Sequence, residues 1–166
     1  MPTEAPKTKP KTKRSSPAKI PPIRIDVRLA AYADSQAIIE LDSARQSDRS
    51  FVNYIHKVIA ARGCFAAIVE NRIVGYGFLE YKFFDYGFFS MVHVHPNFSC
   101  HGVAKAIIQH LEQACKTSKI FTSTNEQSKH MQDLLKALDY QPSGTIENLN
   151  SESPEFVFFK QLRVQE

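Results

Sequence analysis

The sequence predicts an α/β (α+β) domain built on one mixed central sheet, and three features of the 166 residues carry that expectation. An alternating apolar–polar run is followed by two amphipathic stretches; three strand-like runs then follow one another across short turns; after them helical and strand patterns alternate. Short turns make antiparallel neighbours, whereas a helical crossover joins parallel strands. The sheet is therefore expected to begin antiparallel and to become parallel at its fourth and fifth strands, opening a crevice where they splay.

The elements follow in order. Residues 1–22 hold Pro2, Pro6, Pro10, Pro17, Pro21 and Pro22 beside Lys, Thr and Ser, a mixture too poor in apolar surface to order itself. They are read as a disordered basic tail, with one domain over 23–166. From Ile23, the residues Ile25, Val27 and Leu29 alternate with Arg24, Asp26 and Arg28, as in a half-buried strand. Asp34 is placed to cap a helix running to about Arg45, with Ile38, Leu41 and Ala44 on one face. A second helix carries Phe51, Tyr54, Ile55, Val58 and Ile59, and Gly63 is placed to end it.

Three strands are expected over Cys64 to Glu70, Ile73 to Phe84 and Phe88 to His95, joined by Asn71-Arg72 and Asp85-Tyr86-Gly87. A helix with Ala104, Ile107, Ile108, Leu111 and Cys115 on one face leads to a strand at Ile120 to Thr124. A shorter helix, about Ser128 to Leu138, and a hairpin entered through Ser143-Gly144 complete the chain, the last strand running Phe156 to Leu162. The aromatics Phe83, Phe84, Tyr86, Phe88 and Phe89 are expected to form a hairpin core rather than a base-stacking platform, with the lining of an acceptor pocket as the alternative.

Composition narrows the function classes. With 43% hydrophobic residues the chain can bury a core without disulfides or a structural metal. Cys64, Cys100 and Cys115 are an odd set with no close pair, which fits a reduced, cytoplasmic setting. No apolar run approaches a membrane span. The net charge of +4 sits in the tail, where Lys7, Lys9, Lys11, Lys13, Arg14 and Lys19 oppose Glu4, leaving the rest close to neutral. Nucleic acid is therefore not expected as a partner beyond a weak attraction through the tail. His95, Cys100, His101 and His110 repeat no metal-ligand spacing, and no metal is expected.

The stretch His93 to Ile108 turns from a strand through a short polar loop into an amphipathic helix. Successive backbone N–H groups and the helix N-terminus can hold a phosphate there without a cationic side chain. Gly102 allows close backbone approach, and Ala104 keeps the first helical turn low.

These residues resemble the acyl-CoA signature of the GNAT superfamily of acetyl-CoA-dependent N-acetyltransferases, Val-x-Pro followed by Arg/Gln-x-x-Gly-x-Gly/Ala. Here it reads Val94-His95-Pro96 and Ser99-Cys100-His101-Gly102-Val103-Ala104, with Ser99 in place of Arg or Gln. The likeness extends over about 23–162, through Asn125-x-x-Ser128 to Leu138-Asp139-Tyr140. It implies acetyl-CoA as co-substrate and an amine as acceptor. Its phosphates are implied on Ser99, Cys100, His101, Gly102, Val103 and Ala104, and its arm beside the N–H groups of Val92 and Val94 and near Asn125 and Ser128. The Tyr that commonly serves as general acid aligns with Leu135, which has no proton to give.

Two catalytic candidates follow. His93 lies on the splayed strand, and histidines exchange protons near neutral pH. Glu80, on the neighbouring hairpin, is a second base or a recognition group for a cation. Direct transfer in a ternary complex is expected, with Cys100 not acting as a nucleophile. Two alternatives stand beside it: a silent acyl-CoA-binding module, and a protein N-acetyltransferase tethered by its tail. The apolar strand Phe156 to Phe159 is a candidate for a homodimer contact.

Overall fold

The computed structural model describes residues 22–150 and 152–163; the tail predicted at 1–22 therefore lies, but for Pro22, outside the described residues. The chain runs β1 (Asp26–Leu29), α1 (Ser35–Leu41), α2 (Arg49–Ala60), β2 (Cys64–Val69), β3 (Arg72–Phe83), β4 (Tyr86–Val94), α3 (Val103–Ala114), β5 (Lys119–Asn125), α4 (Lys129–Ala137), β6 (Gln141–Ile146) and β7 (Glu155–Gln161). Seven strands form one sheet in the order β1-β2-β3-β4-β5-β7-β6. Among the described residues only β4 and β5 pair in parallel, as the crossover through α3 requires. Among the described residues no helix is long and apolar enough to cross a membrane.

Two cores sandwich the sheet. On one face α1 and α2 bury Ile38, Ile55, Val58 and Ile59 against Tyr76 and Phe78 of β3. On the other, Ile107, Ile108 and Leu111 of α3 and Leu135 of α4 pack with Ile120 and Phe158. Each such side chain contributes about 1.5–3 kcal/mol when fully buried. Strand alternation assigns the faces: Gly77 pairs with Val92 and faces Ile107, whereas Tyr76 pairs with His93 and faces the α1–α2 side.

The structure corrects several local expectations. α1 stops at Leu41 rather than Arg45, because Asp42 leaves the helical region (φ −98, ψ 77) and its carboxylate accepts from Arg45 Nε at 2.7 Å. Asp34 does not cap α1 through its side chain; that carboxylate accepts from Ala31 N at 2.7 Å and from Arg28. The left-handed residue after α2 is Arg62 (φ 59), not Gly63. Arg62 N reaches Ile59 O and Gly63 N reaches Val58 O, both at 2.9 Å, which closes the helix. Gly63 is bare for another reason: a Cβ there would lie 2.6 Å from Leu79 O.

Both central hairpins turn earlier than expected, at Glu70-Asn71 (φ 47, 62) and Phe84-Asp85 (φ 49, 61). Gly87 consequently lies inside β4, buried against Cys115. The aromatics do not form one hairpin core either. Phe89 is buried, but Phe84 is 82% exposed and Tyr86 36%. β7 lies between β5 and β6, so both its edges are paired, and Phe158 points into the core. A dimer contact by strand pairing through Phe156 to Phe159 has no free edge to use.

Candidate active site

The parallel pairing is short. β4 and β5 meet only at Gly87 to Phe89 and Ile120 to Thr122, and the Thr122 hydroxyl closes the fork by donating to Phe89 O at 2.9 Å. Beyond it β5 continues with β7 to Asn125, while β4 continues with β3 to Val94. The edge of β4 that faces β5 has no strand partner from Ser90 to Val94 and presents backbone donors and acceptors. Ser90 is itself an extra residue: Phe78 pairs with Met91 and Leu79 with Phe89, so a bulge sits where the strands part. Val92 and Val94 lie on this open edge, their side chains packed into the α3-side core.

The polar loop follows directly. His95 Nδ1 accepts from Asn97 N at 3.2 Å and caps the short turn Pro96–Phe98. Cys100 (φ 63) and Gly102 (φ 83) are both left-handed, and His101 between them points its Nδ1 at Ser99 O, 2.8 Å away. Gly102 gives α3 no side-chain cap, so the donors of the first turn remain for a ligand. A Cβ on Gly102 would meet no atom within 4 Å, which leaves the mouth of this cradle open. Val103 is buried at 1% and anchors the helix start, while Ala104 is half-buried. A pyrophosphate fits such a cradle of backbone donors.

Asn125 and Ser128 stand differently from the sequence expectation. The Asn125 amide donates to Ser153 Oγ at 2.6 Å and its oxygen accepts from Gln127 N at 2.8 Å, so the side chain ties β5 to the segment before β7. Ser128 is exposed and makes no side-chain cap to α4. Leu135 is wholly buried in the core.

On the α1–α2 face the structure gathers two clusters. Glu80 accepts hydrogen bonds from Tyr54, from Lys82 Nζ at 3.0 Å and from Ser90 Oγ at 2.8 Å. Burial raises its pKa, but these three bonds and the Lys82 charge outweigh it, so the carboxyl titrates below its usual range. That favours a permanent anion over a proton acceptor. His93 stacks on Tyr76, with Nε2 3.2 Å from Leu41 O and Nδ1 3.9 Å from Asp42 Oδ2. Both ring nitrogens thus face α1. Ser90, Asp42 and Arg45 escaped the sequence reading as site residues, whereas Tyr54 was placed on the apolar stripe of α2 without its bond to Glu80.

Asp42 is the pivot of the second cluster. Burial raises its pKa, and the bonds and charge of Arg45, with His93, pull it below the usual value. A lowered folded pKa contributes stability above the unfolded value of about 3.9 and loses it as pH falls through the folded one. Asp42→Ala is expected to cost about 2 kcal/mol at neutral pH. Urea unfolding across a pH series should show that deficit shrinking only below about pH 4.

The family model described as the acetyltransferase (GNAT) family matches residues 31–140. The chain belongs to this family. A GNAT-family acetyltransferase structure from Bacillus cereus is 30% identical, with a TM-score of 0.79, and the match covers 84% of this chain and 99% of that one. Salmonella typhimurium yncA, solved with its cofactor acetyl-CoA, is 14% identical (TM-score 0.69; 85% of this chain, 95% of that one). Arabidopsis thaliana NAA60, in complex with a bisubstrate analogue, is 10% identical (TM-score 0.69; 86% and 100%). At these lower identities the likeness is one of fold. No match was found among curated proteins. The GNAT fold accounts for the parallel β4–β5 pair and its fork, the feature the sequence had predicted.

Proposed function

We propose that this protein transfers the acetyl group of acetyl-CoA to a primary amine by direct attack in a ternary complex. One conjunction supports it: the open edge of β4 after Phe89 lies one short loop away from an uncapped helix N-terminus. The loop Ser99 to Ala104 holds the phosphates through backbone N–H groups, and N–H groups near Val92 and Val94 hold the arm and the acetyl carbonyl. The docked ammonium first loses one proton to solvent; the neutral amine nitrogen then bonds to the carbonyl carbon as the carbon–sulfur bond breaks, and a second proton passes by solvent to the departing thiolate. Glu80 holds the substrate ammonium rather than removing its proton, and His93 positions β4 against α1. Asn125 shapes the end of β5, since its amide is already engaged.

Incubation with acetyl-CoA and a panel of primary amines should release one CoA thiol per acetylated amine. Cys100 is exposed and lies in the phosphate loop, so Cys100→Ala is expected to retain most turnover; complete loss would defeat direct transfer. The burial of Leu135, where the family's acid commonly stands, favours a second reading as a silent acyl-CoA-binding module. Binding of acetyl-CoA without acetylation of any amine would select that reading.

A further inference from the structure

The sheet face that carries Glu80 is only partly covered. α1 and α2 lie over β2 and β3. Further across the same face, Phe88 of β4, Phe121 of β5 and Phe159 of β7 follow one another in register, and Glu80 heads the row opposite Phe88. Register partners share a face, so the four side chains form a line about 14 Å long at the usual strand spacing. Phe83 joins the line, its ring 5.0 Å from Phe88 and 5.2 Å from Phe121, and Phe121 lies 5.9 Å from Phe159. None of these rings belongs to either core.

Three details give this ledge a direction. It borders the fork, since β4–β5 pairing stops one residue beyond Phe88 and Phe121. Glu80 bonds to Ser90, the bulge residue at that fork, so a cation held by Glu80 sits where β4 parts from β5. The chain itself marks the cation position: Lys82 Nζ lies 3.0 Å from Glu80 Oε1 and 5.9 Å from the centre of the Tyr54 ring, on a side chain that is 81% exposed and free to be displaced. At the hairpin tip Phe84 extends the aromatic surface, 82% exposed in a left-handed conformation (φ 49) that bulky residues disfavour. Its ring gains little packing from its own chain.

We infer that the acceptor is a primary amine carried on an aromatic body, the ring lying on Phe88, Phe121 and Phe159 and the ammonium displacing Lys82 at Glu80. This rests on the acetyl-transfer reading above. A polyamine suits the ledge less well, because the row itself carries one carboxylate, Glu80, and Asp85 stands apart at the exposed hairpin tip. The flat rings favour stacking, and Glu80 orients the nitrogen toward the fork.

The test compares kcat/KM for 2-phenylethylamine, n-butylamine and spermidine on the full-length protein. 2-Phenylethylamine is expected to exceed n-butylamine by about tenfold or more, the scale on which apolar contacts discriminate. Phe121→Ser should bring that ratio close to one, and Glu80→Gln should raise KM for 2-phenylethylamine more than it lowers kcat. A thermal shift with acetyl-CoA checks that each variant folds; should Phe121→Ser not fold, the wild-type ratio decides alone. A preference for spermidine, or a ratio near one in the wild type, overturns the aromatic acceptor and leaves acetyl transfer standing. A dimer in light scattering that Phe121→Ser dissociates overturns it too, the ledge then being a contact between copies. Failure to acetylate any of the three and the wider panel, with acetyl-CoA bound, removes both readings.

Discussion

Gly102→Glu is expected to abolish acetyl-CoA binding while leaving the fold intact. A residue with a Cβ at φ 83 is strained, at a cost of about 1–2 kcal/mol. Its side chain collides with nothing, since no atom lies within 4 Å of the position a Cβ would take. A carboxylate at a helix N-terminus is itself favourable by about 0.3–1 kcal/mol, which offsets part of that strain. It also takes up the donors of the first turn and repels a pyrophosphate. Two like charges about 4 Å apart near a protein surface repel by about 4 kcal/mol, enough to remove more than a hundredfold in affinity. Acetyl-CoA at one hundred times its Kd should stabilise the wild type by about 2.7 kcal/mol in thermal unfolding and the variant not at all. Gly102→Ala carries the strain without the charge, so it should lose stability yet keep most of the ligand-induced shift. Undiminished stabilisation of Gly102→Glu would mean that the phosphates sit elsewhere.

The fork was legible because its cause is topological. One amphipathic helix between β4 and β5 forces them parallel, and the polar loop before that helix is contiguous in sequence. The helices and strands followed from periodicity for the same local reason. Turn positions were less legible because this chain uses non-glycine residues in the left-handed region at Arg62, Asn71, Phe84 and Asp85. Glycine was therefore a misleading marker: Gly63 and Gly87 are bare because Leu79 O and Cys115 Sγ crowd them. The polar clusters were hidden for a different reason. Tyr54, Glu80 and Ser90 come from a helix and two strands, and a one-residue bulge brings Ser90 to Glu80. Asp42 looked like the body of a helix, yet its carboxylate ends that helix and faces His93. Insertion of β7 between β5 and β6 likewise has no local signature, and it is what removes Phe156 to Phe159 from any free edge.

Gly77→Val is expected to cost a large share of the stability and to weaken the proposed cofactor cradle from a distance. Gly75 and Gly77 form the bare strip of β3 on which α3 rests. A Cβ on Gly77 would lie 2.6 Å from Ile107 Cγ2 and 3.2 Å from Leu111 Cδ1, and one on Gly75 would lie 2.8 Å from His93 O. Valine adds three carbons where not even one fits, so α3 must move outward or its core side chains must leave their rotamers. Overpacking of this kind costs about 3 kcal/mol, which for a chain of this size lowers Tm by about 6–12 °C. Because the end of α3 proposed to hold the phosphates is anchored by Val103, whose Cγ1 would stand 3.2 Å from a Cβ on Gly75, displacement of the helix also misplaces its N-terminus. Acetyl-CoA should then bind more weakly to a protein that still unfolds cooperatively. A double-mutant cycle separates this from a general loss of strand propensity. Ile107→Ala alone opens a cavity and costs about 2–5 kcal/mol. Combined with Gly77→Val it should cost less than the two together by at least about 1 kcal/mol, because the new side chain occupies the space that Ile107 vacates. Strict additivity would show that α3 does not bear on this strip, and the coupling between core packing and the phosphate cradle would fail with it.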